Sequence, residues 1–215
     1  MTLRDAATPL NIALLVLLAA ATIAGFVLVP AGTILPIHWG VSGEPDGFLP
    51  RDGALLLIPI IAIFVLALLF GVQRFVSEER RQASRHAIAA VIPTLLILFT
   101  AIQAATVMIG TGQAVDMVRI VVALVGLMFV VLGNVMPKTQ PNWIAGFRLP
   151  WTLRDAANWQ ATHRLGGLLM MLGGAAMVVA ALVTGSSVAL LIVTVIALFG
   201  SIAATIAYSF ALSRR

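Results

Sequence analysis

The chain has 215 residues, of which 61% are hydrophobic and 10% are charged, and its mean hydropathy is +1.09. Soluble domains carry about a quarter charged residues, so this composition excludes an ordinary soluble protein and predicts a polytopic membrane protein. The formal net charge is +5, but the basic residues are scattered between apolar segments, so we expect no direct nucleic-acid binding. Because the chain has no cysteine, disulfides, thiol nucleophiles and cysteine-ligated metals are excluded.

Six apolar segments are long enough to cross a bilayer as helices, since about 20 residues span its ~30 Å hydrocarbon core. They cover residues 10–29, 54–73, 87–109, 118–135, 165–184 and 188–212. Their continuous apolarity excludes the alternating strands of a β-barrel. The first is too long for a signal-peptide core and is expected to be a span. The predicted fold class is an all-α polytopic bundle of six transmembrane helices, with a structured outer loop and an interfacial cytoplasmic segment.

The positions of arginine and lysine predict the orientation of this bundle. With the N-terminus in the cytoplasm, 11 of the 13 basic residues lie on the inner side, which is where loops of membrane proteins concentrate them. Both termini are therefore predicted to face the cytoplasm. The outer loop, residues 31–53, then has a net charge of −2, and the central stretch 138–164 has a net charge of +3. The two large loops are predicted to lie on opposite sides with opposite charge.

Small residues recur at a spacing of seven in two of the segments. Gly126 and Gly133 do so in the fourth, and Gly167 and Gly174 do so in the fifth. This spacing keeps the small residues on one helix face, where they allow close approach of a neighbouring helix. We therefore predict helix-packing faces at these positions.

The interiors of the second and third segments contain unusual residues for a span. Pro59 and Pro93 are expected to kink their helices, or to mark a place where a neighbour satisfies a freed carbonyl. Gln103 is expected to face the bundle interior as an interhelical hydrogen-bonding group. No ionisable residue lies near the centre of any segment, which disfavours an ion-coupled pump.

The outer loop is rich in proline and glycine, which predicts a series of tight turns. Such turns could bring His38, Glu44 and Asp46 together as ligands of a divalent metal, or as an acid/base cluster. Their spacing matches no metalloprotease motif. The alternative interpretation is a lid, with Trp39 at the membrane interface and the carboxylates in solvent.

The stretch 133–167 joins the fourth and fifth segments and is dense in proline, tryptophan and arginine. Its prolines predict that the fourth span ends before an extended, turn-rich region. Thr152 and Asp155 form a capping-box pattern that predicts a helix continuing into the fifth span. On that helix, Asp155, Trp159 and His163 share one face.

Two interpretations of this stretch stay open. One is an aromatic and basic anchor that contacts anionic lipid headgroups. Its aromatic members would be Trp143, Phe147, Trp151 and Trp159. The other is a binding groove or regulatory contact, because several side chains supply specific donors and acceptors that an anchor does not need. The candidate ligand- or partner-binding residues are Asn134, Lys138, Asn142, Arg148, Trp151, Thr152, Trp159, Thr162, His163 and Arg164. Catalysis is not expected, because the stretch has one histidine and no paired carboxylates.

These residues form one long pattern with their neighbours: Gly133-Asn134, Met136-Pro137-Lys138, Pro141-Asn142, Gly146, Arg148, Pro150-Trp151-Thr152-Leu153, Trp159, Thr162-His163-Arg164 and Gly166-Gly167. The pattern closely resembles the SdpI family of bacterial membrane proteins. The outer-loop run Pro36, His38, Gly43-Glu44 and Asp46-Gly47 resembles the N-terminal domain of unknown function that commonly precedes it. Phe147 and Leu149 depart from the pattern, where isoleucine and threonine are usual. We predict an N-terminal helical hairpin, 1–85, and a four-helix region, 86–215.

The resemblance implies an immunity protein of the bacterial cytoplasmic (inner) membrane. Such a protein would protect its cell from a secreted, membrane-active peptide toxin, and would signal by drawing a cytoplasmic transcriptional repressor to the membrane. No cofactor is expected, and a divalent metal at the outer loop stays an open alternative. The alternatives are a membrane-embedded metal-dependent enzyme or a small-solute transporter that uses His38, Glu44 and Asp46.

Overall fold

The computed structural model describes residues 7–214, apart from the side chains at positions 73, 80 and 81. Within that range the chain is mostly helical, and six helices are long and apolar enough to cross a membrane, which confirms the predicted six-span bundle. Arg4 and Arg215, which contribute to the predicted orientation, lie outside the described residues.

The helices are named in chain order. They are α1 Pro9–Leu28, α2 Arg51–Arg74, α3 Glu78–Gly110, α4 Met117–Val135, α5 Pro150–Arg154, α6 Ala156–Val183, α7 Ser187–Val195 and α8 Ser201–Ser213. A π-helical segment, Ile196–Gly200, joins α7 and α8 into one span, Ser187–Ser213. The strands β1 Ile34–Trp39 and β2 Pro45–Pro50 form an antiparallel pair between α1 and α2.

Two helices are longer than the apolar segments that predicted them. Helix α3 begins at Glu78 and α6 at Ala156, whereas the segments begin at 87 and 165. Hydropathy marks the part of a helix that can lie in hydrocarbon, so polar turns that extend beyond it are missed. Both extensions lie at the end of the bundle that carries the central stretch.

The outer loop is a β-hairpin, which the turn-rich sequence did not predict. Leu35 of β1 is buried with Val29 and Leu55, so the hairpin rests on the ends of α1 and α2. The pairing is irregular around His38, which lies opposite Gly47. Proline and glycine at both strand ends give a loop signal, and only packing on the bundle makes two such short strands stable.

The predicted glycine faces pack against each other. Helices α4 and α6 run antiparallel and meet at two glycine pairs, Gly126 with Gly174 and Gly133 with Gly167. A Cβ added at Gly133 would lie 2.5 Å from the Gly167 carbonyl oxygen, and one at Gly126 would lie 2.7 Å from that of Gly174. The backbones therefore touch directly, as the small residues allow.

Gln103 is fully buried and hydrogen-bonds a backbone carbonyl that Pro59 leaves without its helical partner. Proline has no N–H, so in α2 the carbonyl of Leu55 loses the partner that residue 59 would otherwise supply. The Gln103 amide nitrogen donates a hydrogen bond to that carbonyl at 3.0 Å. The predicted interior amide and the predicted freed carbonyl are thus two halves of one contact between α3 and α2.

The Gln103→Leu variant is expected to lower the free energy of unfolding by about 1 kcal/mol, because it leaves the Leu55 carbonyl unpaired in an apolar setting. In a Pro59→Ala background the loss should shrink, since α2 can then form its own hydrogen bond. Thermal unfolding in detergent of the four proteins gives the coupling. Gln113→Leu, at an exposed site beyond α3, is the control and should change little. Equal losses in both backgrounds would contradict this account.

Candidate functional site

The centre of the 133–167 stretch is a stack of two buried rings. Trp159 and His163 are fully buried on α6, and their ring centroids lie 3.9 Å apart at an interplanar angle of 17°. The Phe147 backbone N–H donates to His163 Nε2 at 2.9 Å. Nε2 must therefore be unprotonated, and Nδ1 carries the proton toward the Trp159 carbonyl, 2.7 Å away. His163 is a neutral acceptor that ties the loop to α6.

The glycine at position 146 is required by this arrangement. Its φ of 113° lies in the left-handed region, which side chains disfavour. A Cβ there would also overlap Nε2 of His163. Gly146 thus lets the loop backbone approach the ring closely enough for the Phe147 hydrogen bond.

The predicted capping box does not form. Thr152 lies inside the short helix α5, where its hydroxyl accepts from the Leu149 N–H at 3.0 Å and donates to the Phe147 carbonyl at 2.6 Å. Asp155 instead caps α6, accepting from the Ala157 N–H at 2.8 Å. The chain turns between α5 and α6, so each residue of the pattern serves a different element.

Asn142 shapes the loop before the histidine contact. Its side-chain oxygen accepts from the N–H groups of Ile144 and Ala145, at 2.8 and 2.9 Å, and its amide donates to the Gln140 carbonyl at 2.7 Å. These are the bonds of an Asx turn. Asn142 is buried, and the bonds of its side-chain oxygen and amide stabilise the loop conformation.

A second polar cluster joins the loop and α6 to the last span. Asn158 donates to the Ser209 carbonyl at 3.0 Å and accepts from the Thr162 hydroxyl at 2.9 Å. The indole N–H of Trp151 donates to the Ser209 hydroxyl at 2.6 Å. Asn158 and Ser209 were not among the predicted site residues.

A sequence signal for this cluster exists. Ser201, Thr205 and Ser209 recur every four residues in the sixth span, and all three are buried. A polar stripe at helical spacing within an apolar span predicts a face that packs against another helix.

The ten candidate residues of the central stretch fall into two groups. Buried ones are Asn142, Thr152, Trp159, Thr162 and His163, and exposed ones are Asn134, Lys138, Arg148 and Arg164, with Trp151 half-buried between them. Trp159 is therefore not the headgroup-level anchor that was predicted, because it lies inside the protein. Trp143 is 60% exposed, and its carbonyl accepts from Arg148 at 2.6 Å. The exposed group presents mainly positive charge.

The predicted metal ligands come together only in part. His38 Nδ1 and Asp46 Oδ1 lie 2.5 Å apart on the hairpin, but Glu44 does not join them. Among residues 7–214, no group of three His, Cys, Asp or Glu side chains could hold a metal ion. The hairpin residues form an exposed hydrogen-bonded pair in place of the predicted cluster.

Two cavities that were not predicted from the sequence lie beneath the hairpin. One, of about 340 Å³, is an open cleft lined by the hairpin and by helices α2, α3 and α4. The other, of about 460 Å³, lies between the hairpin, α4 and α7. His38, Trp39, Val118 and Val122 line both. Hydropathy treats the two valines like any other span residues, which is why the sequence analysis missed them.

The hairpin tip also contacts the last span. Gly43 has a φ of 85°, and a Cβ there would overlap the Ser187 hydroxyl at the start of α7. Because Ser209 lies in the same span, that span contacts the hairpin near one end and the central loop near the other. The two candidate regions share one structural element.

Comparison with known proteins identifies two family regions in the chain. Residues 138–209 match the SdpI/YfhL protein family, and residues 13–63 match a domain of unknown function, DUF1648. The immunity protein SdpI of Bacillus subtilis (strain 168) is 25% identical over 136 residues, which is 63% of this chain and 63% of that protein. No solved structure matches. With the six apolar helices, these relatives identify a multi-pass protein of the bacterial inner membrane.

Proposed function

Because the chain carries the SdpI/YfhL family region behind a DUF1648 domain, we propose that it is an immunity protein that protects its cell from a secreted, membrane-active peptide toxin. The observation that carries this proposal is the pair of cavities beneath the hairpin, which offers an apolar ligand a concave site. With the predicted orientation, that site faces outward, where a secreted peptide arrives.

The opposite end of the protein has the features of a signalling surface. Lys138, Arg148 and Arg164 are exposed there, around a loop that buried hydrogen bonds hold in one conformation. We propose that a cytoplasmic transcriptional repressor with an acidic surface binds this end. Charge complementarity of this kind favours rapid and specific association.

The last span supplies a physical connection between the two proposed sites. It touches the hairpin tip at Ser187, and Ser209 bonds Trp151 in the central loop. Its π-helical segment, Ile196–Gly200, lies between these contacts. Such segments often occur at functional sites, because the wider turn loosens the regular hydrogen-bond ladder.

Expression in a sensitive bacterium tests the proposal. We expect survival to rise several-fold against at least one member of a panel of membrane-active peptides. Trp39→Ala should remove most of this protection, because Trp39 lines both cavities. Phe48→Ala is the matched control, since Phe48 is exposed on the same hairpin and lines neither cavity. The amount of protein in the membrane fraction is measured for every strain.

The same assay in the native host separates protection from signalling. An Arg148→Glu variant should keep its protection but lose the transcriptional response to a sublethal dose of the peptide, measured by RNA sequencing. If wild-type protein protects against no peptide in the panel, the proposed function is wrong. If Arg148→Glu leaves the transcriptional response intact, the repressor does not bind at this surface.

A further inference from the structure

The site beneath the hairpin combines apolar side chains with one carboxylate, that of Asp46. The 340 Å³ cavity is lined mainly by aliphatic side chains of α2 and α4, among them Leu57, Ile58 and Val121. Its volume lies at the lower end of the roughly 300–1,000 Å³ of ligand pockets. The neighbouring cavity has Asp46 on its rim, next to Trp39.

The Asp46 carboxylate is paired with His38 rather than with the arginine of the outer loop. Arg51 is engaged elsewhere, because it bonds Asp52 at 2.8 Å and the Val29 carbonyl at 3.0 Å. The Asp46 side chain is 54% exposed, and one of its carboxylate oxygens bonds His38 Nδ1. A ligand that reaches the second cavity therefore meets a half-exposed carboxylate, one oxygen of which bonds His38, beside the indole ring of Trp39.

We infer that this site takes a peptide segment in which a basic residue stands next to bulky apolar residues; this rests on the proposed function and specifies its ligand. The apolar side chains occupy the cavity under Trp39. The basic group lies between the Asp46 carboxylate and the face of the Trp39 ring, since both attract a cation. A lipid chain would fill the cavity without using the carboxylate, and an anionic headgroup would be repelled by it.

The test uses purified full-length protein in phosphatidylcholine nanodiscs and a dansyl-labelled amphipathic peptide of leucine and lysine. A matched peptide has glutamine in place of every lysine, and empty nanodiscs are the blank. The lysine peptide should bind wild-type protein more tightly than the glutamine peptide does. The Asp46→Asn variant should weaken the lysine peptide about fivefold, the scale of one charge pair near a protein surface, and leave the glutamine peptide unchanged.

Two further variants distinguish the effect of the Asp46 charge on peptide binding from the effect of the cavity volume. Val118→Phe, which fills space shared by both cavities, should weaken both peptides. Asp52→Asn removes the same charge from the same loop, outside both cavities, and should leave binding within twofold of wild type. Because Asp46 is on the surface, its variant stays informative even if Val118→Phe fails to fold.

The inference is overturned if the two peptides bind equally, or if Asp46→Asn and Asp52→Asn behave alike. It is also overturned if native mass spectrometry finds a co-purified lipid that Val118→Phe removes while peptide binding stays the same, because the cavity is then a lipid site. Cells that wild-type protein protects equally against basic and uncharged peptides would refute the inference and leave the proposed function standing. Failure to protect against any peptide refutes the proposed function itself.

Discussion

Gly133→Leu and Gly174→Leu variants are expected to prevent assembly of the bundle. At both positions α4 and α6 approach so closely that an added Cβ would meet the backbone of the facing helix. A carbonyl oxygen held in a helix cannot move aside as a flexible side chain can. Overpacking of this kind costs about 1–3 kcal/mol for a small group and more for a large one. We therefore expect the alanine variants to be destabilised and the leucine variants not to fold.

Size-exclusion chromatography in detergent and thermal unfolding, followed by tryptophan fluorescence, measure this effect. Gly71→Leu is the matched control, because nothing lies within 4 Å of a Cβ added at that helical position. It should elute and unfold like the wild type. If Gly133→Leu and Gly71→Leu proved equally stable, α4 and α6 would not meet at these glycines.

The features that sequence predicted well are those that depend on local pattern. Hydropathy over about 20 residues predicted six spans, and the spacing of seven predicted the glycine faces of α4 and α6. Pro59 and Gln103 were each recognised as unusual for a span. That they satisfy one another could not be predicted, because Gln103 and Leu55 are 48 positions apart in the chain.

The candidate site was harder to predict than the fold, because its residue types suit more than one role. His163 and Thr162 looked like donors and acceptors for a ligand, but burial commits them to partners within the protein. The position of a side chain, inside or on the surface, depends on how a loop folds over a helix. The cavities are harder still to predict from the sequence, because the residues that line them come from the hairpin and several separate helices.

His163→Phe is expected to loosen the central loop while leaving the six spans in place. Phenylalanine keeps an aromatic ring against Trp159, but it cannot accept the hydrogen bond of the Phe147 N–H, which then lies unpaired in a partly buried site. An unsatisfied buried donor costs about 1–3 kcal/mol. The Trp159 indole N–H still donates to the Thr139 carbonyl at 3.1 Å, so we expect the loop to loosen around Phe147 without detaching from α6. Residues 139–149 should therefore be cleaved faster by protease and exchange amide hydrogens faster.

Limited proteolysis and hydrogen exchange in nanodiscs check this result, and the transcriptional response to the peptide is measured by RNA sequencing in the native host. Arg164→Ala, at the adjacent exposed position, is the control and should leave both loop measurements unchanged. If the loop of His163→Phe stays as protected as in wild type while the transcriptional response to peptide is lost, His163 contacts the partner directly. If the loop loosens and the response is lost together, His163 acts by holding the loop. The second outcome is the one that its burial predicts, since a ring with no exposed surface can reach a partner only after the loop has opened.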